Sequence, residues 1–155
     1  MASTGQEIVN AATGERLLFL ATSQDTSGEY LEFVDYFPVG VGRPSAHVHP
    51  GMEERWQVLQ GTVRINVGGD DVDASAGEVV VAPPGVPHRI ANTGAGTARV
   101  LVRMAPALRW EWAVERLFAM ASAPGADGDG TPSRDALVAW MTEFAAEIAP
   151  PPRAS

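Results

Sequence analysis

From Arg16 to Met104 the chain is a succession of short segments rich in β-branched and aromatic residues, each cut off by Gly, Pro, Asn or Asp. The segments are RLLFL, EYLEFVDYF, RWQVL, TVRINV, EVVVA, HRIAN and ARVLVRM, with turn signals such as VGGDDV and NTGAG between them. Many short strands in succession predict an antiparallel sandwich or barrel. No internal repeat is present, so length and pattern together exclude a second barrel.

After Pro106 the hydrophobic period changes. In LRWEWAVERLFAMA, residues Trp110, Val114, Leu117, Phe118 and Ala121 fall on one helical stripe, with Glu111, Glu115 and Arg116 away from it. TPSRDALVAWMTEFAAEI reads as a second helix, with Thr131 or Ser133 as cap, Pro132 in the first turn, and Leu137, Trp140, Met141, Phe144 and Ile148 as its apolar face. SAPGADGDG between them reads as a loop and APPPRAS as a frayed end. The aromatic faces are expected to pack on the barrel or on a second subunit, or else to lid the barrel mouth. The expected organisation is a barrel over residues 1–106 and a helical extension over 107–155.

Several function classes are excluded at this stage. The 155 residues contain no cysteine, which removes disulfides, thiolate nucleophiles and sulfur-ligated zinc, so any metal must use nitrogen and oxygen ligands. All 11 basic residues are arginine, which removes Schiff-base lysine chemistry. A net charge of -8 without a basic run disfavours nucleic acid and anionic membranes as partners. No apolar run reaches the roughly 18 residues of a membrane span, and MASTGQEIVN lacks the marks of a signal peptide, so the expected location is cytoplasmic.

His47 and His49 lie two residues apart, a spacing that in a strand sends both imidazoles to one face. Strand parity groups Glu54 with Trp56 and Val58 on the interior, and Glu53 with Arg55 and Gln57 on the polar side. Further on, GEVVVAPPGVPHRIAN spaces Gly77, Pro83, Gly85, His88 and Asn92 in a way that resembles the second motif of the cupin superfamily. The stretch 40–61 resembles the first motif, with His47, His49, then Glu54 after four residues and Gly61 after six more. The departure is at its start, where the motif glycine falls on Val41, between Gly40 and Gly42. The resemblance covers about residues 40 to 104 and is that of a small single-domain bacterial cupin. It implies an all-β fold, an antiparallel double-stranded β-helix (the cupin or jelly-roll barrel) followed by the two C-terminal helices. Within it, His47, His49, Glu54 and His88 would converge on one divalent transition metal. Iron is the first expectation, with Zn, Ni, Mn, Co or Cu as alternatives.

Three imidazoles and a carboxylate suit such metals and leave one or two positions open, as a catalytic metal requires. The pocket around them is expected to be mainly apolar, with Trp56, Val58 and Ile90 as lining residues, Glu54 as a catalytic group, and Tyr36 as a phenol near the metal. Arg55, Arg64 and Arg89 alternate outward. An apolar pocket favours a small oxygen-bearing aromatic or polyketide-like substrate over a sugar phosphate or free amino acid. The expectation is an iron-dependent dioxygenase, with a redox-neutral cyclase or isomerase as first alternative and a non-catalytic small-molecule binding protein as second. A homodimer is expected from the spare aromatic helical faces.

Overall fold

The computed structural model describes residues 1–43, 45–121 and 132–153. Nine strands precede two helices: β1 Glu7–Val9, β2 Arg16–Ala21, β3 Leu31–Phe37, β4 Glu53–Gln60, β5 Thr62–Val67, β6 Asp70–Ser75, β7 Val79–Ala82, β8 His88–Asn92, β9 Ala98–Ala105, α1 Trp110–Met120 and α2 Arg134–Glu143. The pairings among these strands are antiparallel. One sheet has the order β1-β2-β3-β9-β4-β7 and the other β6-β5-β8. Phe33, Val102, Trp56 and Val80 occupy one row across the large sheet, and Leu31, Met104, Glu54 and Ala82 the next. Alternation puts the buried apolar members of these rows and Val63, Ile65 and Ile90 of the small sheet into one core.

The extended segment before β4 lengthens the small sheet beside β8 through bridges Gly42–Ala91 and His47–His88. The two chains approach so closely at the first bridge that a Cβ on residue 42 would lie 2.5 Å from the Cα of Ala91. The glycine requirement that sequence spacing assigns to Val41 is therefore met one residue later, at Gly42.

Two strands give no clear sign of themselves in the sequence. VGGDDV reads as a turn, but only Gly68 and Gly69 form it. Both have positive φ, as a tight hairpin turn demands, and pairing begins at Val67 and Asp70. The strand that follows, DDVDAS, buries only Ala74 and is held by cross-strand partners, Arg64 Nε donating to Asp73 at 2.8 Å and Asn66 Nδ2 to Asp71 at 2.8 Å. Such a polar strand carries no hydrophobic signal. The three-residue β1 is too short to carry one.

Helix α1 buries Trp110, Val114 and Phe118 as expected, but Glu111 is also buried, its carboxylate accepting from the Ser23 hydroxyl. At the start of α2 the cap is Ser133, whose hydroxyl accepts from the Ala136 N–H at 3.3 Å. Thr131, the other candidate cap, and the loop read at SAPGADGDG lie outside the described residues. Helix α2 ends at Glu143, short of the expected stripe, yet Phe144 and Ile148 stay buried. The segment read as a frayed end is anchored at its start, since Ala149 and Val48 exchange two backbone hydrogen bonds, of 2.9 and 3.0 Å. Among the described residues no helix is long and apolar enough to cross a membrane.

Candidate metal centre

The structure brings together the four residues singled out by spacing. Each of His47, His49, Glu54 and His88 offers one ligand atom, and these atoms lie within 4.8 Å of one another. His47 is held opposite His88 by their reciprocal backbone hydrogen bonds, and Glu54 joins the cluster from β4 while Glu53 is exposed. Strand parity thus separates the two neighbouring glutamates in the same sense as the structure does.

Hydrogen bonds at the far side of two rings fix what faces the centre. His49 Nδ1–H donates to the Glu147 carbonyl at 2.6 Å, and His88 Nδ1–H donates to the Val86 carbonyl at 2.9 Å. In neutral rings so protonated, each Nε2 presents a lone pair. Those nitrogens lie 3.1 and 2.8 Å from the same oxygen, Glu54 Oε2. Acceptors converge on acceptors, an arrangement that calls for protons or a cation between them. The donor set, imidazole nitrogen plus carboxylate oxygen, fits a divalent transition metal.

Without a cation, protons bridge these atoms and the imidazole nitrogens become donors to Glu54. Burial, reinforced by the charge of neighbouring His49, pushes His47 down to about 3, so its ring is neutral at ordinary pH. Burial alone would raise Glu54, but hydrogen bonds from His49 and His88 prevail and hold its carboxyl below the usual carboxylate range. Burial likewise opposes charge on His88, while the bond to Glu54 outweighs it and raises that imidazole.

These groups open onto a cavity of about 580 Å³, a size suited to a small organic ligand. Trp56 and Ile90 line it, whereas Val58 does not and belongs to the core. Both helices reach the cavity, through Trp110, Val114 and Phe118 of α1 and Leu137, Trp140 and Met141 of α2. Trp110 stands edge-on to His49, with ring centroids 4.8 Å apart. The helices thus wall the chamber that holds the candidate metal ligands.

Tyr36 is not part of it. On β3 the positions that reach the cavity are Phe33, Asp35 and Phe37, and Tyr36 has the opposite parity, its ring lying 3.6 Å under the Arg16 guanidinium. In place of a phenol the cavity contains a charged group that sequence reasoning misses, Glu15, Asp35 and Arg43. Its signal is present as period-two spacing: Asp35 between Phe33 and Phe37, and Arg43 an even number of residues before His47.

Residues 33–104 match the family model described as a cupin domain. No curated protein sequence matches the chain. Among solved structures it is similar to the predicted oxalate decarboxylase of Thermotoga maritima, with 24% identity over 66% of this chain and 92% of that one, and a TM-score of 0.58. It is similar to an RmlC-like cupin of Shewanella frigidimarina, with 20% identity over 72% of this chain and 93% of the other, at a TM-score of 0.58. It also resembles the Cnp3 cupin domain of Schizosaccharomyces pombe, at 18% identity and a TM-score of 0.54. That match covers 59% of this chain and 64% of the other, so less than two thirds of the Cnp3 domain is spanned. At these identities the likeness speaks for the fold alone.

Proposed function

Residues 33–104 form a cupin-superfamily domain, and from that premise we propose that the chain is a mononuclear metal-dependent enzyme acting on a small, largely apolar, oxygen-bearing organic substrate. The observation that carries this reading is the convergence of acceptor atoms from His47, His49, Glu54 and His88 at the wall of an apolar chamber. Those four residues would hold the metal, iron in the first instance. When bound, the metal supplies Lewis acidity and open coordination positions for oxygen donors.

The chain's own residues do the rest. The backbone carbonyls of Glu147 and Val86 keep two imidazoles in the tautomer that ligates. Trp56, Ile90 and the aromatic residues of both helices orient an apolar body and exclude water from it. Glu54 remains ionised beside the bound ligand.

The specific form we propose is an iron-dependent dioxygenase acting on an aromatic or enol-containing compound. Metal analysis of protein from its native host, followed by oxygen-uptake measurements on iron-loaded protein, tests it; turnover without oxygen removes the dioxygenase. A redox-neutral cyclase or isomerase is the second reading, favoured by the buried carboxyl of Asp35 in the same cavity. Tight ligand binding without product would leave a binding protein. A homodimer remains a proposal that has lost one ground, because Trp110, Trp140 and Phe144 are buried within the chain. A monomeric mass in solution removes it.

A further inference from the structure

The cavity contains polar side chains that the metal reading leaves unused. Glu15 is 2% exposed and receives a bidentate pair of hydrogen bonds from Arg43, both 2.8 Å. That pair balances its own charge. Asp35 is 3% exposed and lies on the face of β3 that reaches the cavity. Its Oδ1 has no hydrogen-bond partner, and its Oδ2 lies 3.9 Å from Arg43 Nη2, too far for a hydrogen bond. A carboxylate buried in this way, beside a guanidinium already satisfied by another carboxylate, is disfavoured in the ionised state.

The charged groups facing Asp35 are Glu15, from the chain leading into β2, Arg43, from the extended segment beside β8, and Glu54 of β4. Burial first, and the negative charge of Glu15 next, push its carboxyl well above the usual range against the pull of Arg43, and a hydrogen bond from the protonated carboxyl to Glu15 adds to the rise. Asp35 is then a neutral acid with a proton to donate, set among Leu17, Phe33 and Phe37 in the cavity wall. Both oxygens of Glu15 are already taken by Arg43, which weakens the nearest acceptor within the chain. Glu111 and Glu115 also keep one orphaned oxygen each, but of these three only Asp35 lines the cavity, where a ligand can supply the missing partner.

We propose that Asp35 is a specificity-determining residue of the cavity, donating a hydrogen bond to an uncharged oxygen, a ketone or hydroxyl, on the substrate beyond the oxygens that the metal ligands hold. The proposal rests on the reading of His47, His49, Glu54 and His88 as the site that takes those oxygens. Glu15, Arg43 and a neutral Asp35 together carry no net charge, so they offer no counter-charge to a phosphate or a second carboxylate. The favoured ligand class is an oxygenated ring compound with a chelating oxygen pair at one end and a neutral polar group at the other.

Calorimetric titration of the zinc-loaded full chain with three naphthalene diols tests this. All three share a vicinal diol for the metal and differ on the far ring, which carries methyl, acetyl or carboxylate. The acetyl probe is expected to bind about tenfold tighter than the methyl probe, as one well-made hydrogen bond allows, and tighter than the carboxylate probe. In Asp35→Leu the acetyl and methyl probes should bind alike. Equal binding of those two in the unaltered protein, or an acetyl preference that survives in Asp35→Leu, overturns the role of Asp35 and leaves the metal reading standing. Failure of every diol to bind, or binding that ignores the metal, overturns the metal reading and the proposal with it.

A second measurement is independent of any ligand. A carboxyl raised above its ordinary value of 3.8 binds its proton more tightly in the folded state, so its contribution to stability falls as pH rises from about 4 through the folded pKa. Asp35→Asn removes that titration and should gain stability relative to the unaltered protein as pH rises. A salt-bridge role with Arg43 gives the opposite sign. Denaturant unfolding across pH decides, and a deficit in Asp35→Asn that grows with pH overturns the proposal.

Discussion

Two groups of ionisable side chains share one cavity and solve the problem of burial in different ways. His47, His49, Glu54 and His88 bring acceptors together with no cation of their own, whereas Glu15, Asp35 and Arg43 include their cation and are one proton short of neutrality. On the proposed reading the first group is completed by a metal from outside the chain, and the second by its own Arg43 and one proton. Removing a ligand should therefore cost metal in the first group, and removing the cation should cost stability in the second.

The largest effect expected is on metal content. His88→Ala should lower metal affinity by at least about a hundredfold, a loss greater than that of an outer-shell partner, while circular dichroism remains that of a folded barrel. Full metal retention by elemental analysis would break the contrast. Next is Arg43→Met, which leaves Glu15 buried without its partner. It should destabilise the chain by roughly 3–5 kcal/mol in denaturant unfolding, with metal stoichiometry unchanged. If metal is lost and stability kept, the two groups are not separate devices.

Smaller effects sharpen the same boundary. Deleting residues 144–155 removes the carbonyl that fixes His49 and should weaken metal binding about 10–100-fold. His47, Glu54 and His88 should still bind, so abolished rather than weakened binding in a folded product would show that the tail does more than orient one ring. Glu53→Gln should change stability by less than about 0.5 kcal/mol and metal content not at all. Glu54→Gln should lower metal content clearly. Equal results for the neighbouring glutamates would refute the ligand assignment.

How far each group can be read from the sequence differs for a physical reason. The candidate metal ligands sit at fixed short spacings on a strand or its approach, so His47, His49 and Glu54 announce themselves locally, and His88 completes a recognisable second pattern. Glu15, Asp35 and Arg43 come from three separate segments, and their partnership exists only after β3 and the extended segment beside β8 have folded together. Parity alone can point Asp35 inward, and it also shows why Tyr36 points away. The core strands are legible because they are β-branched and aromatic; β6 is not, because its stability comes from cross-strand polar pairs. The role of the helices is legible only as an apolar stripe, since periodicity reveals that a face is buried but not what it covers.

The bond from His49 to the Glu147 carbonyl has a consequence in time as well as in space. A chain emerges from the ribosome N-terminus first, and its domains can fold as they appear. All four candidate ligands have been made once His88 is added, yet the carbonyl that fixes one of them comes 59 residues later, by the difference between positions 147 and 88. On the proposed metal reading, His49 is held in its ligating tautomer only after the tail has docked, so the last element of order at the centre arrives after the barrel strands have been made.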